Sequence, residues 1–563
     1  MDKISYIGNV NGAQVIFVNG KALDGVAYIT YLTENNCYED FSNAGYKLFS
    51  FPVFFGYRML NEMSQLPVFT LGIFDGMGPN FSWFDRDVEK ILKACPDAYI
   101  FPRVNISLPE RWENANPDEL NYTGTDKFPE SRRPCFASDE WAKEVKKELK
   151  LFIEHVQSMP YAQHFVGYQI AAGNTEEWFC YDQKGGIGKR FDEKFKEKFP
   201  HSKPCIEDED YLSMISDVTA DRICEFAGYI KELTEHKYIV GSFYGYTLEL
   251  SSPILGHHAL NKVLNCDDID FLCSPMSYTN VRKPGNEHPL MVPIDSLKLH
   301  NKLYFSENDT RTHLSKAVVD TPHYTSPIWF GPETEEQSLD VMKMHFSKSL
   351  IKGHACWWFD MWGGWYKTDA YMAFMKKAKE VYHDAMSMSF ESVAEVAVIV
   401  DEKSYLKPST PAVKNGCANY MRHILAKTGT PSDIYLAKDF GNIDQKRYKA
   451  FIVLEPAETE LTKAIKNELD ERKVPVLSVN EANYTEINSV LKDFYKSNGV
   501  TVYTESEVVF NRNKSHIFVH GIKDTTVNIK LPDGKKLYEI FEDKEYKNCF
   551  ELKFGQSKLF KII

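Results

Sequence analysis

The stretch that decides the fold is His164–Trp178, HFVGYQIAAGNTEEW, in which an apolar run ends in a turn and two adjacent acids. The run His164–Ala172 predicts a buried strand. The segments Glu140–Met159 before it and Tyr211–Glu235 after it carry apolar residues at helical spacing. A strand between two such helices predicts one unit of a parallel sheet.

The same alternation repeats along residues 26–386, where eight strand-then-helix units can be counted. Eight such units favour a closed (β/α)8 barrel. The doubly wound alternative lacks support, because no glycine-rich nucleotide fingerprint follows an early strand. The predicted strands are Val26–Thr33, Tyr46–Phe54, Ala98–Val104, His164–Ala172, Tyr238–Tyr244, Ile269–Ser274, Leu303–Ser306 and His354–Phe359.

The pattern changes after about residue 390. The buried runs Val393–Val400 and Phe451–Leu454, separated by helical segments, predict a smaller α/β domain of the Rossmann or flavodoxin type. Beyond Val500, short alternating runs divided by turns such as Pro532-Asp533-Gly534 predict a small C-terminal β-sandwich. We therefore predict an α/β protein with domains at residues 1–388, 389–495 and 496–563.

Composition excludes several classes of function. The 563-residue chain has a formal net charge of −13, which disfavours nucleic acid and anionic membranes as partners. The sequence contains no run of about 18 apolar residues, so no membrane span is predicted. The first residues lack the apolar core of a signal peptide. Eleven cysteines without a C-x-x-C pair suggest reduced thiols and a cytoplasmic protein.

Two acidic sites follow predicted barrel strands. The fourth strand leads into Asn174, Glu176 and Glu177, and the seventh leads directly into Glu307. Catalytic groups of such barrels lie at the carboxyl ends of the strands, so these side chains are expected to meet across the mouth. Two facing carboxylates are the groups needed for glycoside hydrolysis, and Trp178 could raise the pKa of the proton donor by excluding water. The alternative is that they are solvated loop carboxylates.

The sequence resembles the clan A glycoside hydrolases, in particular the family 42 β-galactosidases and related families that include β-mannosidases. The resemblance implies a catalytic barrel, an α/β trimerisation domain and a small β domain. It also implies a retaining double displacement, with Glu177 as acid/base, Glu307 as nucleophile, no cofactor and a homotrimer. The segments that carry it are Gly167–Trp178, Gly241–Glu249, Asp268–Arg282, Lys302–Thr312 and His354–Trp365.

The sequence departs from that family in two places. Family 42 usually has Asn immediately before the acid/base Glu, whereas Asn174 precedes Glu177 by three residues. The choice between Glu176 and Glu177 is therefore open, and Glu177 is preferred because it adjoins Trp178. The cysteine cluster that holds zinc in some members is absent, and the adjacent pair His257-His258 lacks metal-site spacing, so no metal is expected.

Further residues are predicted to bind substrate. Arg103 ends the third strand, and its alternative role is a structural ion pair. Tyr278 resembles the clan tyrosine that hydrogen-bonds the nucleophile, and the tryptophans after the eighth strand suit a sugar face. For these aromatics the alternative is packing. The predicted substrate-binding residues are Arg103, Asn174, Glu176, Trp178, Tyr244, Tyr278, Trp358 and Trp362.

The leading hypothesis is an exo-acting, retaining β-glycosidase of the β-galactosidase type, acting on an oligosaccharide or glycoside. A β-mannosidase on the same scaffold is the first alternative, because loop residues decide between axial and equatorial hydroxyls. A non-catalytic carbohydrate-binding barrel is the second. That second alternative predicts the loss of a carboxylate, and both candidate carboxylates are present.

Overall fold

A computed structural model describes residues 4–57, 71–122, 133–180, 187–315 and 329–563, without the side chains of residues 280 and 281. The strands are β1 (Ser5–Val10), β2 (Ala13–Val18), β3 (Lys21–Ala22), β4 (Val26–Ile29), β5 (Leu48–Ser50), β6 (Pro52–Phe54), β7 (Tyr99–Ile100), β8 (Arg103–Asn105), β9 (Gly167–Ala171), β10 (Ile239–Phe243), β11 (Phe271–Pro275), β12 (Leu303–Asn308), β13 (Ala355–Phe359), β14 (Val396–Val400), β15 (Asp433–Leu436), β16 (Ala450–Leu454), β17 (Val476–Val479), β18 (Val508–Arg512), β19 (His516–Gly521), β20 (Thr525–Asn528), β21 (Leu537–Glu539), β22 (Lys544–Tyr546), β23 (Cys549–Leu552) and β24 (Ser557–Ile562).

The α-helices of the described residues follow the strands in alternation through the first two thirds of the chain. They are α1 (Tyr38–Asn43), α2 (Ser82–Ala94), α3 (Glu110–Ala115), α4 (Asp139–Ser158), α5 (Lys189–Lys198), α6 (Glu209–Leu233), α7 (Leu260–Leu264), α8 (Ile294–Leu299), α9 (Glu335–Lys352), α10 (Asp369–Ala385), α11 (Glu402–Leu406), α12 (Pro411–Asn415), α13 (Met421–Leu425), α14 (Glu460–Glu471) and α15 (Ile487–Ser497).

The strands β4 to β13 form one closed parallel barrel. Strand β13 pairs with β4, which closes the ring. Strand β4 pairs with β5, β5 with β7 and β6 with β8, and from β8 to β13 each strand pairs with the next. The second and third positions are each split into two short strands. Pro102 lies at the break in the third, where proline lacks the N–H that a ladder requires. The predicted (β/α)8 barrel is thus confirmed.

Aromatic side chains fill the inside of the barrel. The rings of Phe101 and Phe305 stack at 5.5 Å, and that of Trp357 lies 4.9 Å from Phe305. Gly241 on β10 permits this packing, because a Cβ there would lie 2.3 Å from the Phe271 ring. Part of the aromatic content of the sequence therefore serves the core, where each buried ring contributes about 1.5–3 kcal/mol.

The outer helices bury their apolar faces against this barrel. In α4 the predicted face is buried, and the Ser138 side chain caps the helix by accepting a hydrogen bond from the Trp141 amide. The hairpin of β1 and β2, which the sequence reading did not include, lies against the amino-terminal ends of the barrel strands. The Ile4 amide donates to the Lys237 carbonyl, just before β10. The opposite end is left to the loops that carry the candidate site.

The C-terminal part contains two further sheets. The first is parallel, in the order β15-β14-β16-β17, with the helices α11 to α15 in the same region. The second is antiparallel, in the order β18-β19-β24-β21-β22, beside the pair β20-β23. The predicted fold class is confirmed, although residues 501–503, the first of the short runs predicted as strands beyond Val500, do not form a strand. The exact domain limits stay a prediction.

In the part of the chain that the structure describes, no helix combines the length and apolar character needed to cross a membrane. All eleven cysteines are free thiols. No group of three or more His, Cys, Asp or Glu side chains in these ranges is arranged to hold a metal ion.

Candidate active site

A strained turn places both glutamates at the end of the fourth barrel strand. The Trp178 amide donates to the Ala172 carbonyl at 2.8 Å, so the chain returns to the strand end after five residues. Thr175, Glu176 and Trp178 all have positive φ, between 53° and 67°. A positive φ at a non-glycine residue costs conformational free energy, and residues strained in this way cluster at functional sites. The turn brings Glu176 and Glu177 to the barrel mouth.

Glu177 is held by hydroxyl groups. The Tyr246 hydroxyl donates to Glu177 Oε1 at 2.7 Å, and the Thr175 hydroxyl donates to Oε2 at 2.5 Å. The Glu177 backbone carbonyl lies 2.8 Å from His257 Nε2. Burial raises the pKa of the Glu177 carboxyl to about 8, although both hydroxyls oppose this. At neutral pH this group carries a proton that it can donate.

Glu307 is held by a cation. It lies near the carboxyl end of β12, and its Oε2 accepts hydrogen bonds from Arg103 Nη2 and, at 3.1 Å, from Trp357 Nε1. Burial raises the pKa of the Glu307 carboxyl, and the Arg103 guanidinium opposes that rise. A carboxylate paired with arginine at a barrel mouth is suited to act as an ionised nucleophile.

Glu176 belongs to the same network on the other side of Arg103. Its Oε2 accepts a hydrogen bond from the Tyr31 hydroxyl and lies 3.6 Å from Arg103 Nη1. Its Oε1 accepts from Asn105 Nδ2 at 3.5 Å. Burial raises the pKa of Glu176, whereas Arg103 and Tyr31 lower it. The adjacent glutamates therefore differ chemically, because only Glu176 lies beside a cation.

Comparisons with known proteins give a result only at the level of structure. No protein-family model matches the chain, and no curated protein matches its sequence. Solved structures do match. A β-galactosidase from Bacillus circulans sp. alkalophilus superimposes with a TM-score of 0.63 at 12% identity, covering 96% of this chain and 99% of that one.

Two further solved structures also match over nearly the whole of this chain. Gan42B, a GH42 β-galactosidase from G. stearothermophilus, has a TM-score of 0.63 at 11% identity and is covered over 99% of both chains. An exo-carrageenase GH42 from Bacteroides ovatus has a TM-score of 0.60 at 12% identity, covering 100% of this chain and 85% of that chain. The chain has the family 42 fold. At these identities the likeness establishes architecture, and the predicted resemblance is confirmed at that level.

Within this family 42 fold, several predicted residues lie away from the carboxylates. The Trp178 ring packs on Phe136 at 5.1 Å and on Phe226 of α6 at 6.4 Å, which is the helix side of the barrel, so it does not enclose Glu177. The Trp358 indole also points outward and donates to the Tyr46 hydroxyl at 3.1 Å. The Tyr244 hydroxyl donates to the Gly256 carbonyl at 2.9 Å. In each case the side chain is directed into the outer layer or a loop.

Of two loop aromatics, Tyr278 differs from the expectation, and the role of Trp362 in sugar binding stays a prediction. The Tyr278 hydroxyl donates to Asp309 at 2.5 Å, not to Glu307, because loop residues Arg282 and Arg311 gather around Asp309. The buried Trp362 ring stacks on the half-buried Trp329 ring at 5.6 Å, and the Arg311 guanidinium lies over the Trp329 ring. Asn174 lies in the strained turn, where its carbonyl accepts a hydrogen bond from the Glu177 amide.

The structure adds residues that the sequence reading did not assign to the site. They are Tyr31, Asn105, Tyr246 and Trp357, which all hydrogen-bond one of the three glutamates. Strand register identifies Trp357, because it pairs directly with Glu307 and successive side chains alternate between the two faces. The arrangement has a protonated carboxyl at one strand end and a cation-paired carboxylate at another.

Proposed function

We propose that the chain is a retaining, exo-acting β-glycosidase that releases terminal β-linked sugars. Glu177 is the acid/base and Glu307 the nucleophile. The single observation that carries the proposal is the difference between these carboxyls. Burial holds the pKa of Glu177 at about 8 among hydroxyl groups, while Glu307 lies on the Arg103 guanidinium. The family 42 fold supports the same reaction class.

The reaction proceeds in two displacements. Glu307 attacks the anomeric carbon while Glu177 donates its proton to the glycosidic oxygen, so the C–O bond breaks and an ester to Glu307 forms. Glu177, now ionised, removes a proton from water, which attacks the same carbon. The ester breaks, the sugar leaves with its original configuration, and both glutamates return to their starting states.

The sugar proposed for the subsite is β-galactose, because two of the matched structures are named β-galactosidases. A β-mannosidase is the alternative on the same scaffold. We expect a panel of 4-nitrophenyl β-glycosides to give the highest kcat/KM for the galactoside. Strong mannoside turnover beside negligible galactoside turnover would reject the first choice, and sugar binding without hydrolysis of any member would favour a non-catalytic barrel.

The proposal predicts an alkaline limit to activity. Glu177 must be protonated to act as an acid, so kcat/KM should fall as pH rises through its pKa of about 8. The fall should be steep for an unsubstituted phenyl glycoside, because phenolate is a poor leaving group that needs the proton. It should be shallow for a dinitrophenyl glycoside, whose leaving group departs without a proton. An alkaline limb of equal depth for the two substrates would contradict the role of Glu177.

We also propose that the chain assembles as a homotrimer in the cytoplasm. The trimer rests on the family layout, in which a parallel α/β domain like residues 389–495 follows the barrel. The eleven free thiols suit a reducing compartment. Light scattering that gave a monomer would reject the trimer.

A further inference from the structure

One cation serves two carboxylates at the centre of the site. Arg103 Nη2 donates to Glu307, and Arg103 Nη1 lies 3.6 Å from Glu176 Oε2, which is within ion-pair range but outside hydrogen-bond range. The guanidinium is fully buried and lies over the Phe243 ring, with 4.6 Å between Arg103 Cζ and the ring centroid. Glu176 and Glu307 therefore compete for the same charge.

The Tyr31 hydroxyl lies between the competitors. It accepts a hydrogen bond from Arg103 Nη1 at 3.0 Å and donates its own proton to Glu176. The ring is fixed edge-on against Phe359, with 4.7 Å between centroids. A hydroxyl can accept and donate at once, which lets a single atom satisfy both neighbours.

We propose that Tyr31 is a positioning residue that keeps Arg103 on the nucleophile by separating it from Glu176. Without the hydroxyl, Arg103 Nη1 and Glu176 each lose a hydrogen bond in a buried site, where an unsatisfied charged group is costly. They regain one directly with each other by closing their 3.6 Å gap. That movement turns the guanidinium toward Glu176 and draws Nη2 from Glu307. This inference rests on the proposed role of Glu307 as nucleophile.

Other groups around Glu307 bear on its titration. Its electrostatic neighbours lie on, or directly after, six of the eight barrel strand positions, namely the first and the third to the seventh. They are Arg103, Tyr31, Glu176, Glu177, Tyr246, Cys273, Tyr304 and Asp309. Arg103 is the one cation in this set, and after burial it has the largest influence on the pKa of Glu307.

The test is the acid limb of kcat/KM against pH, which follows ionisation of the nucleophile. In Tyr31→Phe, Arg103 is drawn from Glu307, and we expect the acid limb to move up by about half to one pH unit. In Tyr31→Phe/Glu176→Gln the competing charge is gone, so the limb should move back toward the wild-type position. The control is Tyr28→Phe, whose hydroxyl serves Asp360 and the Cys37 amide, and which should leave the limb unchanged.

Either an unmoved limb in Tyr31→Phe, or a double variant that keeps the full shift, would overturn the inference. If Tyr31→Phe does not fold, Glu176→Gln alone decides. Removing the competing charge should then move the acid limb to lower pH, and an unmoved limb overturns the claim that Glu176 competes for Arg103. A wild type that hydrolyses no glycoside removes the proposed function itself, whereas an active wild type with these negative results removes only this inference.

Discussion

Replacing Glu307 by Gln is expected to lower kcat by about 10⁴-fold or more, because the amide cannot form the glycosyl ester. Gln keeps the size of the side chain and an oxygen for Arg103 and Trp357, both of which donate to Glu307 Oε2. The loss should therefore be chemical. The measurement is turnover of 4-nitrophenyl glycosides, with sugar binding by calorimetry to confirm that the site persists.

One outcome would contradict the assignment of Glu307 as nucleophile. Hydrolysis that is unchanged in Glu307→Gln would remove the nucleophile assignment. Loss of hydrolysis together with loss of the native thermal transition would mean unfolding, so the thermal midpoint is measured beside activity. A natively folded variant that still binds sugar and does not turn it over is the expected outcome.

Replacing Glu177 by Ala is expected to cost about 10²–10⁴-fold for substrates with poor leaving groups, since general acid assistance is lost. With a dinitrophenyl glycoside the first step needs no proton, and the missing base slows the second step. Azide should then restore turnover by attacking the glycosyl-enzyme, giving a β-glycosyl azide. Glu176→Ala should show no azide rescue, because Glu176 lies on the Arg103 side of the site.

A matched control is Glu148→Gln. Burial also raises the pKa of Glu148 to about 8, but this residue lies on the outer helix α4. Replacing its protonated carboxyl with an amide should leave turnover unchanged. Azide rescue of Glu176→Ala but not of Glu177→Ala would reverse the assignment, and rescue of neither would remove both residues from the acid/base role.

The barrel was predictable from the sequence because its signal is local. Each strand is a short apolar run and each long helix, such as α4, has one apolar face. Knowing the strand order then placed Glu177 and Glu307 at the same end of the barrel. That step needs no side-chain detail, because the carboxyl ends of parallel strands share one edge.

The surroundings of the glutamates were not predictable in the same way. Trp357 and Trp358 are adjacent in sequence, and only the pairing of β12 with β13 tells which one faces Glu307. The positive φ values at Thr175 and Glu176 have no glycine to mark them. Tyr278 contacts Asp309 because two loops meet there, and that contact depends on tertiary structure and not on local sequence. The sequence shows which residues are present near the strand ends, but it does not show the direction in which their side chains point.

The central claim is a covalent intermediate on Glu307, and trapping tests it most directly. The enzyme is treated with the 2-deoxy-2-fluoro analogue of the β-glycoside it hydrolyses fastest, then digested with trypsin for mass spectrometry. The account predicts a glycosylated peptide Leu303–Arg311, LYFSENDTR, with the sugar on Glu307. A label on any other residue, or no label while that glycoside is being turned over, would contradict it.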